Sequence, residues 1–443
     1  MPGRLSFGTD GVRGRALTEL TPEYVRALGA AAGEVLGAGR WLIGRDTRES
    51  GPVLEAALIA GLRAAGATPE SVGVVPTPAL AHLSAVLDVP AAMITASHNP
   101  FDDNGVKVFA PGGVKLTDAV ERQIEAALVV DGPDHGDDTA DAGVATVATV
   151  GLSEYAGHLL AMFPERALDG LHVVLDCANG AMSAIAPQVT AALGATVTVI
   201  HADPDGRNIN DQCGATNPAS LSAAVRAHGA DVGLAFDGDG DRIIAVDEHG
   251  TIVDGDRLIA MAALQLRERG ELFADTVVVT VMSNLGFHRA MEAVGIHVVS
   301  TAVGDRYVLE ALDAGGFAIG GEQSGHIIYR HLATTGDGLL AGLRLARFVA
   351  EHHRPLSDLA AAVMTTYPQV LVNVPVTLRQ PDVAELLAPE IAVAETTLAG
   401  EGRVLLRPSG TEPLVRVMVE AATTDLARSV AEGLADAVRL RFA

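Results

Sequence analysis

Apolar positions along the 443-residue chain alternate between short β-like runs and helix-period patterns almost to its end. That alternation predicts an α/β architecture of parallel or mixed sheets flanked by helices. The first stretch reads helix (22–37), strand (41–46), helix (51–65), strand (71–75), helix (79–86) and strand (91–95). Around 128–148 the pattern lapses into Gly- and Asp-rich VVDGPDHGDDTADAGVATV, which reads as a linker. A second unit follows with a helix near 153–162, the strands LHVVLD, ATVTVI and VGLAF, and the helix SLSAAVRAH. A third carries the helix DGDRLIAMAALQLRER, the strands TVVVTV and IHVVST, and the helix GLLAGLRLARFVAEHH. The last segment pairs RVLLR with the alternating LVRVMVEA and closes on the amphipathic DLARSVAEGLADAVRL. The prediction is three α/β domains (1–150, 151–253, 254–365) and a smaller α+β domain (366–443).

Composition narrows the function classes. With 49% hydrophobic and 19% charged residues the chain is a well-packed globular protein of several domains. The start has no apolar leader, and no apolar stretch is long enough for a bilayer span, so a cytoplasmic protein is expected. Cys177 and Cys213 show neither CxxC nor zinc-type spacing. A net charge of −24 argues against nucleic-acid or membrane partners, so an anionic substrate must meet local positive charge. Of the 31 basic residues only Lys107 and Lys115 are lysine. Arginine stays protonated, whereas lysine exchanges a proton where its surroundings lower its pKa, which marks the loop region that keeps both rare lysines.

Four loops carry chemistry. TASHNP leaves the apolar run AAMI, where Ser97 is a candidate nucleophile and His98 a candidate to orient it, with NP and DNG forming a tight loop. DGDGDR aims Asp237, Asp239 and Asp241 at one point, a nest for a hard cation. An EF-hand loop would put Gly where Arg242 stands and helices where LAF and IIAV read as strands, so that reading is rejected. In an extended GEQSGH loop, Glu322 and Ser324 share a face suited to sugar hydroxyls, with His326 beside them. RPSGTEP offers Arg407, Ser409, Gly410 and Thr411, with Arg416 on the next strand, as a phosphate cradle. Near the start, FGTDGVRG places Arg13 in a Gly-bracketed loop.

Taken in order, FGTDGVRG, TASHNPFDDNGVK, DGDGDR, GEQSGH and RPSGTEP resemble the alpha-D-phosphohexomutase superfamily over nearly the whole chain. FGTDGVRG at the start and TTGDG after GEQSGH resemble its bacterial phosphoglucosamine mutases more than its phosphomannomutases or phosphoglucomutases. The resemblance implies four domains around a central cleft, a phosphorylated Ser97, and one Mg²⁺ at Ser97 and the three aspartates. It further implies that glucosamine 6-phosphate and glucosamine 1-phosphate interconvert through glucosamine 1,6-bisphosphate, feeding UDP-N-acetylglucosamine and peptidoglycan precursors. Arg242, Glu322, Ser324, His326, Arg407, Ser409, Gly410, Thr411 and Arg416 would bind the substrate. Arg13 and Lys107 match the acid/base positions, and Lys107 is preferred because arginine hardly loses a proton. An activating kinase and a homodimer are compatible with the resemblance. A sugar-phosphate hydrolase would use similar parts and release phosphate to water.

Overall fold

The computed structural model describes residues 5–130, 148–378, 380–409 and 413–442, so most of the expected linker lies outside the described residues. Four sheets follow one another along the chain. The first holds β1 (Val12–Arg15), β2 (Arg40–Arg45), β3 (Thr68–Val74), β4 (Ala91–Ile94), β5 (Asp103–Ala110) and β6 (Val114–Lys115), in the order β1-β5-β4-β2-β3 with β6 on β5. The second holds β7 (His172–Asp176), β8 (Thr196–Ile200), β9 (Val232–Phe236), β10 (Ile243–Asp247) and β11 (Ile252–Val253), in the order β11-β10-β9-β7-β8. In the third, β12 (Thr276–Thr280), β13 (His297–Thr301), β14 (Ile319–Gly321) and β15 (Ile327–Tyr329) run β13-β12-β14-β15. The fourth is the antiparallel trio β16 (Gln369–Pro375), β18 (Leu414–Ala421) and β17 (Gly402–Pro408), in that order.

One topology recurs in the first three sheets. Two flanking strands run parallel to a central one, and the last-formed strand of the set returns antiparallel at its side: β4 to β5, β9 to β10, β14 to β15. Each return loop is one of the motif loops, so TASHNP, DGDGDR and GEQSGH occupy the same topological position. The strands that feed them are buried throughout, as continuous apolar runs such as AAMI and VGLAF require. RPSGTEP likewise joins β17 to β18.

Contacts divide the chain into two compact units, Met1–Met282 with His297–Ala361, and Ser283–Ile296 with Ala362–Ala443. The first unit holds separate cores, one around Trp41, Ile43, Leu54 and Leu58, another around Val174, Leu221 and Val246, and a third around Val278, Val308 and Leu312. The second packs Val374, Val415, Val417 and Val419 against Ala427, Ala431 and Leu434 of the final helix, Thr424–Phe442. It also takes in the helix Leu285–Ala293, because Asn284 Nδ2 donates to the Tyr367 carbonyl at 2.9 Å and the Leu285 amide to Glu420 Oε2 at 2.9 Å. No helix among the described residues is long and apolar enough to cross a membrane.

Candidate active site

Ser97 lies three residues past the end of β4 and adopts φ 53°, a left-handed conformation that costs a non-glycine residue of order 1 kcal/mol. The surroundings fix that backbone. Ser97 N donates to Thr95 Oγ1 at 2.9 Å, and Thr95 Oγ1 donates to the buried Asp46 Oδ2 at 2.7 Å. The Arg48 guanidinium, fully buried and paired with Asp46, donates to the carbonyls of Ser97 (3.0 Å), Asn99 (2.8 Å), Asp103 (3.0 Å) and Pro100. Asn210 Nδ2 reaches the Ser97 and Asn99 carbonyls from the loop after β8, at 2.9 and 3.0 Å.

The DGDGDR loop presses on this turn so closely that a Cβ on Gly238 would sit 2.7 Å from the Ser97 carbonyl. Ser97 Oγ donates to Asp237 Oδ2 at 2.6 Å and lies 3.2 Å from His98 Nδ1. Burial, then Arg242 and Arg13, lower the His98 pKa to about 4, so its ring is neutral near pH 7. Carboxylate oxygens of Asp237, Asp239 and Asp241 lie within 4.8 Å of one another, all three side chains buried. Burial, followed by repulsion from Asp239 and Asp241, pushes Asp237 well above the usual carboxylate range. Asp239 Oδ1 and Asp241 Oδ1 are buried with no hydrogen-bond partner among the described residues. Hard oxygens converging with open lone pairs fit a divalent cation of the Mg²⁺ type. The flanks are strands, and Glu248, which falls at the twelfth position of an EF-hand loop counted from Asp237, accepts from the Ser357 amide at 3.2 Å instead of joining the triad. The EF-hand reading is thereby closed.

Lys107 on β5 lies 2.8 Å from Asp239 Oδ2, 2.9 Å from Asp241 Oδ2 and 2.9 Å from Asp10 Oδ2. Burial alone would lower its pKa, but Asp10, Asp239 and Asp241 outweigh that and hold it well above the ordinary lysine value. Asp10 also binds Lys115 (2.9 Å) and Arg13. Thr77 fixes Asp239 twice, its Oγ1 donating to Oδ2 at 2.7 Å and its amide to the carbonyl at 2.8 Å.

Similarity places the chain. Four family models match it: phosphoglucomutase/phosphomannomutase alpha/beta/alpha domain I over 4–130, domain II over 153–250, domain III over 254–367 and the C-terminal domain over 371–437. The chain belongs to the phosphoglucomutase/phosphomannomutase family, the alpha-D-phosphohexomutase superfamily. It is 56% identical to the phosphoglucosamine mutase of Frankia casuarinae, over 98% of both chains. It is 53% identical to that of Rhodococcus opacus, over 98% of this chain and 99% of the relative. Among solved structures, a putative phosphomannomutase from Thermus thermophilus is 25% identical with TM-score 0.79, over 99% of this chain and 100% of that one. Aspergillus fumigatus N-acetylphosphoglucosamine mutase, solved with GlcNAc-6P and magnesium, shares the fold at TM-score 0.67 and 21% identity, over 98% of this chain and 96% of that one.

Several expectations need correction within this phosphohexomutase frame. Arg13 stands on β1, opposite Gly105, instead of in a loop, and DNG opens β5 instead of turning. Both belong to a strand pair that no local signal announces. The surroundings of Lys107 raise its pKa where a lowered one was expected, because three carboxylates face it. GEQSGH is a tight turn: the Gly325 amide donates to the Glu322 carbonyl at 2.9 Å, with Gly325 at φ 92° against the backbone of Ile243. Glu322 and Ser324 therefore do not share an extended face. Ser324 is exposed, and Glu322 Oε1 accepts from the Gly304 amide at 3.1 Å. His326 is buried, with Nδ1 3.5 Å from Asp241 Oδ1 and Nε2 accepting from the Gly336 amide at 3.2 Å, so it supports the aspartate instead of facing open space. Arg242 donates its amide to Asp237 Oδ1 at 3.1 Å and pairs back to His326.

In the second unit Arg407 and Arg416 are cross-strand partners, two like charges on one face. Burial, then Arg416, lowers the Arg407 pKa. Arg416 Nε is buried without a hydrogen-bond partner among the described residues, and Ser409 is buried beside this strand end. Such a pair is relieved by an anion. Gly410 and Thr411 lie outside the described residues. Sequence reasoning missed Asp10, Arg48, Thr77 and Asn210 as shaping residues. For Arg48 a signal existed, since β2 neighbours β4 and the two strand ends must adjoin.

Proposed function

We propose that this chain is a phosphoglucosamine mutase, interconverting glucosamine 6-phosphate and glucosamine 1-phosphate in the cytoplasm through phosphoserine 97. The observation that carries the chemistry is Ser97 Oγ, 2.6 Å from an aspartate of a buried three-carboxylate nest. The sugar is supported by relatives of that name at 52–56% identity along essentially the full chain. Phosphoserine 97 gives its phosphoryl group to the free hydroxyl of the bound sugar phosphate: the P–O bond to Ser97 Oγ breaks as the bond to the sugar oxygen forms, and the proton lost by that hydroxyl is balanced by the one gained by Ser97 Oγ. The resulting glucosamine 1,6-bisphosphate turns over and returns its other phosphoryl group to Ser97 Oγ. A kinase or a bisphosphorylated sugar loads Ser97 first.

Asp237, Asp239 and Asp241 would hold Mg²⁺, which when bound neutralises phosphoryl oxygens and stabilises the transfer. Asp10 and Thr77 orient Lys107 and Asp239. Lys107 carries its proton, so it serves as donor toward the bridging oxygen, while His98 stays neutral beside Ser97 Oγ and helps to orient it. Arg13 orients charge through Asp10. Glu322 and Ser324 meet sugar hydroxyls, Arg242 faces the phosphoryl side, and Arg407, Ser409 and Arg416, with Gly410 and Thr411, hold the phosphate that is not reacting. In one assay, kcat/KM for glucosamine 6-phosphate should exceed those for glucose and mannose 6-phosphates, with isomer formed and no stoichiometric inorganic phosphate. Equal kcat/KM for the three sugars would move the assignment to a phosphoglucomutase/phosphomannomutase, and phosphate release to a hydrolase.

A further inference from the structure

The first unit holds a second cluster of ligating side chains, unlike the aspartate triad in chemistry. β7 and β8 run side by side in parallel register, Asp176 opposite Ile200, so Asp176 and His201 emerge together at one sheet edge. Cys213 reaches the same point from the loop before the helix Ala219–His228. One ligand atom from each of the three lies within 4.8 Å of the other two.

A purely structural Asp–His contact accounts poorly for the details. His201 Nδ1 lies 3.1 Å from Asp176 Oδ1, yet it is buried and makes no hydrogen bond among the described residues. Asp176 already accepts the Ala178 amide on Oδ1 at 3.0 Å and the Gly214 amide on Oδ2 at 2.9 Å. Those bonds fix the carboxylate while leaving lone pairs open on both oxygens. Asp176 and Cys213 are both 0% exposed, so a nucleophilic Cys–His–Asp triad has no route to a substrate. The geometry points to a second metal site in this chain, in which Asp176, His201 and Cys213 bind a thiophilic divalent cation of the zinc class.

The donor set decides the class. Imidazole nitrogen, sulfur and one carboxylate suit Zn²⁺ or Co²⁺, whereas Mg²⁺ keeps to oxygen. As the metal–sulfur bond forms, the Cys213 thiol proton passes to solvent. The loops so tied are those that shape the nucleophile turn: Asn210 bonds the Ser97 carbonyl, and the Ala181 amide donates to the Gly238 carbonyl at 2.9 Å. The cation would brace the turn from behind without touching substrate.

Metal-free protein titrated with Co²⁺ under excess Mg²⁺ tests it. One equivalent should bind and give a thiolate-to-cobalt charge-transfer band, which the aspartate triad has no sulfur to produce. The band should survive in Asp239→Asn and Cys177→Ala and vanish in Cys213→Ala. His201→Asn tolerates the left-handed backbone at this position (φ 49°) and is partly exposed, so it should fold. It should weaken Zn²⁺ affinity at least tenfold. Absence of the band in the wild-type protein, its persistence in Cys213→Ala, or unchanged Zn²⁺ affinity in folded His201→Asn would each overturn the site.

Discussion

At the scale of the residue, the Ser97 turn is a small piece of strained backbone held by buried polar groups. Ser97 sits at φ 53° because its amide and carbonyl are both claimed, by Thr95 on one side and by Arg48 and Asn210 on the other. Strain and chemistry separate by substitution. Ser97→Gly and Ser97→Ala both remove the oxygen proposed to carry the phosphoryl group, so both should lose mutase turnover. Glycine takes the left-handed conformation freely, so Ser97→Gly should be about 1 kcal/mol more stable than Ser97→Ala. Equal denaturation midpoints would show that the turn is unstrained, and residual turnover would remove Ser97 from the reaction. Arg48→Lys keeps the charge but replaces a planar fork, which meets four carbonyls, with a point donor. Stranding buried carbonyls costs about 1 to 3 kcal/mol each at most, so a loss of at least about 2 kcal/mol is expected, together with a fall in kcat. An Arg48→Lys protein with normal kcat would limit Arg48 to folding.

Elements set what could be read in advance. The aspartates and Ser97 were legible because each candidate group lies within a few residues of the loop that presents it, after an apolar strand. Lys107, Asp10 and Arg13 become neighbours only through the register of β1 on β5 and β5 on β4, which local patterns do not specify, and that is why Arg13 and DNG were misread as loop. Glu322 and Ser324 were misplaced for a related reason: Gly325 closes a turn whose need comes from the distant Ile243 backbone. Asp337, within TTGDG, caps the helix Gly338–His352, its Oδ1 accepting from the Leu340 amide at 2.9 Å. It also accepts from Tyr155 Oη at 2.8 Å. Burial raises the Asp337 pKa from 3.8 to about 6, so folding favours the protonated carboxyl. That contribution is present below the unfolded value and is lost as pH rises through about 6, a change of about 3 kcal/mol at about 1.4 kcal/mol per unit. Asp337→Asn keeps a capping oxygen and does not titrate. The variant should match the wild type in stability near pH 4 and gain on it near pH 7, measured by denaturation at both. A difference independent of pH would show that the carboxyl does not titrate with folding.

At the scale of the molecule, one topology repeated three times puts three motif loops at equivalent return turns, with a fourth at the hairpin of the smaller sheet. All three aspartates of the cation nest belong to the first unit, whereas Arg407, Ser409 and Arg416 belong to the second. A ligand stabilises only the part that binds it, by RT ln(1 + [L]/Kd), about 2.7 kcal/mol at a hundredfold excess over Kd. Mg²⁺ should therefore slow hydrogen exchange around 237–242 and 95–99 without slowing it along β16, β17 and β18. A sugar phosphate should add protection at the ends of β17 and β18, where two arginines stand opposed. Asp239→Asn should abolish the first effect, because an amide replaces a carboxylate whose Oδ1 makes no hydrogen bond among the described residues. If Mg²⁺ protects both units equally, the two are one cooperative body. If it protects neither, the triad is no cation site, and the phosphoryl group at Ser97 must be neutralised by Lys107 and Arg242 alone.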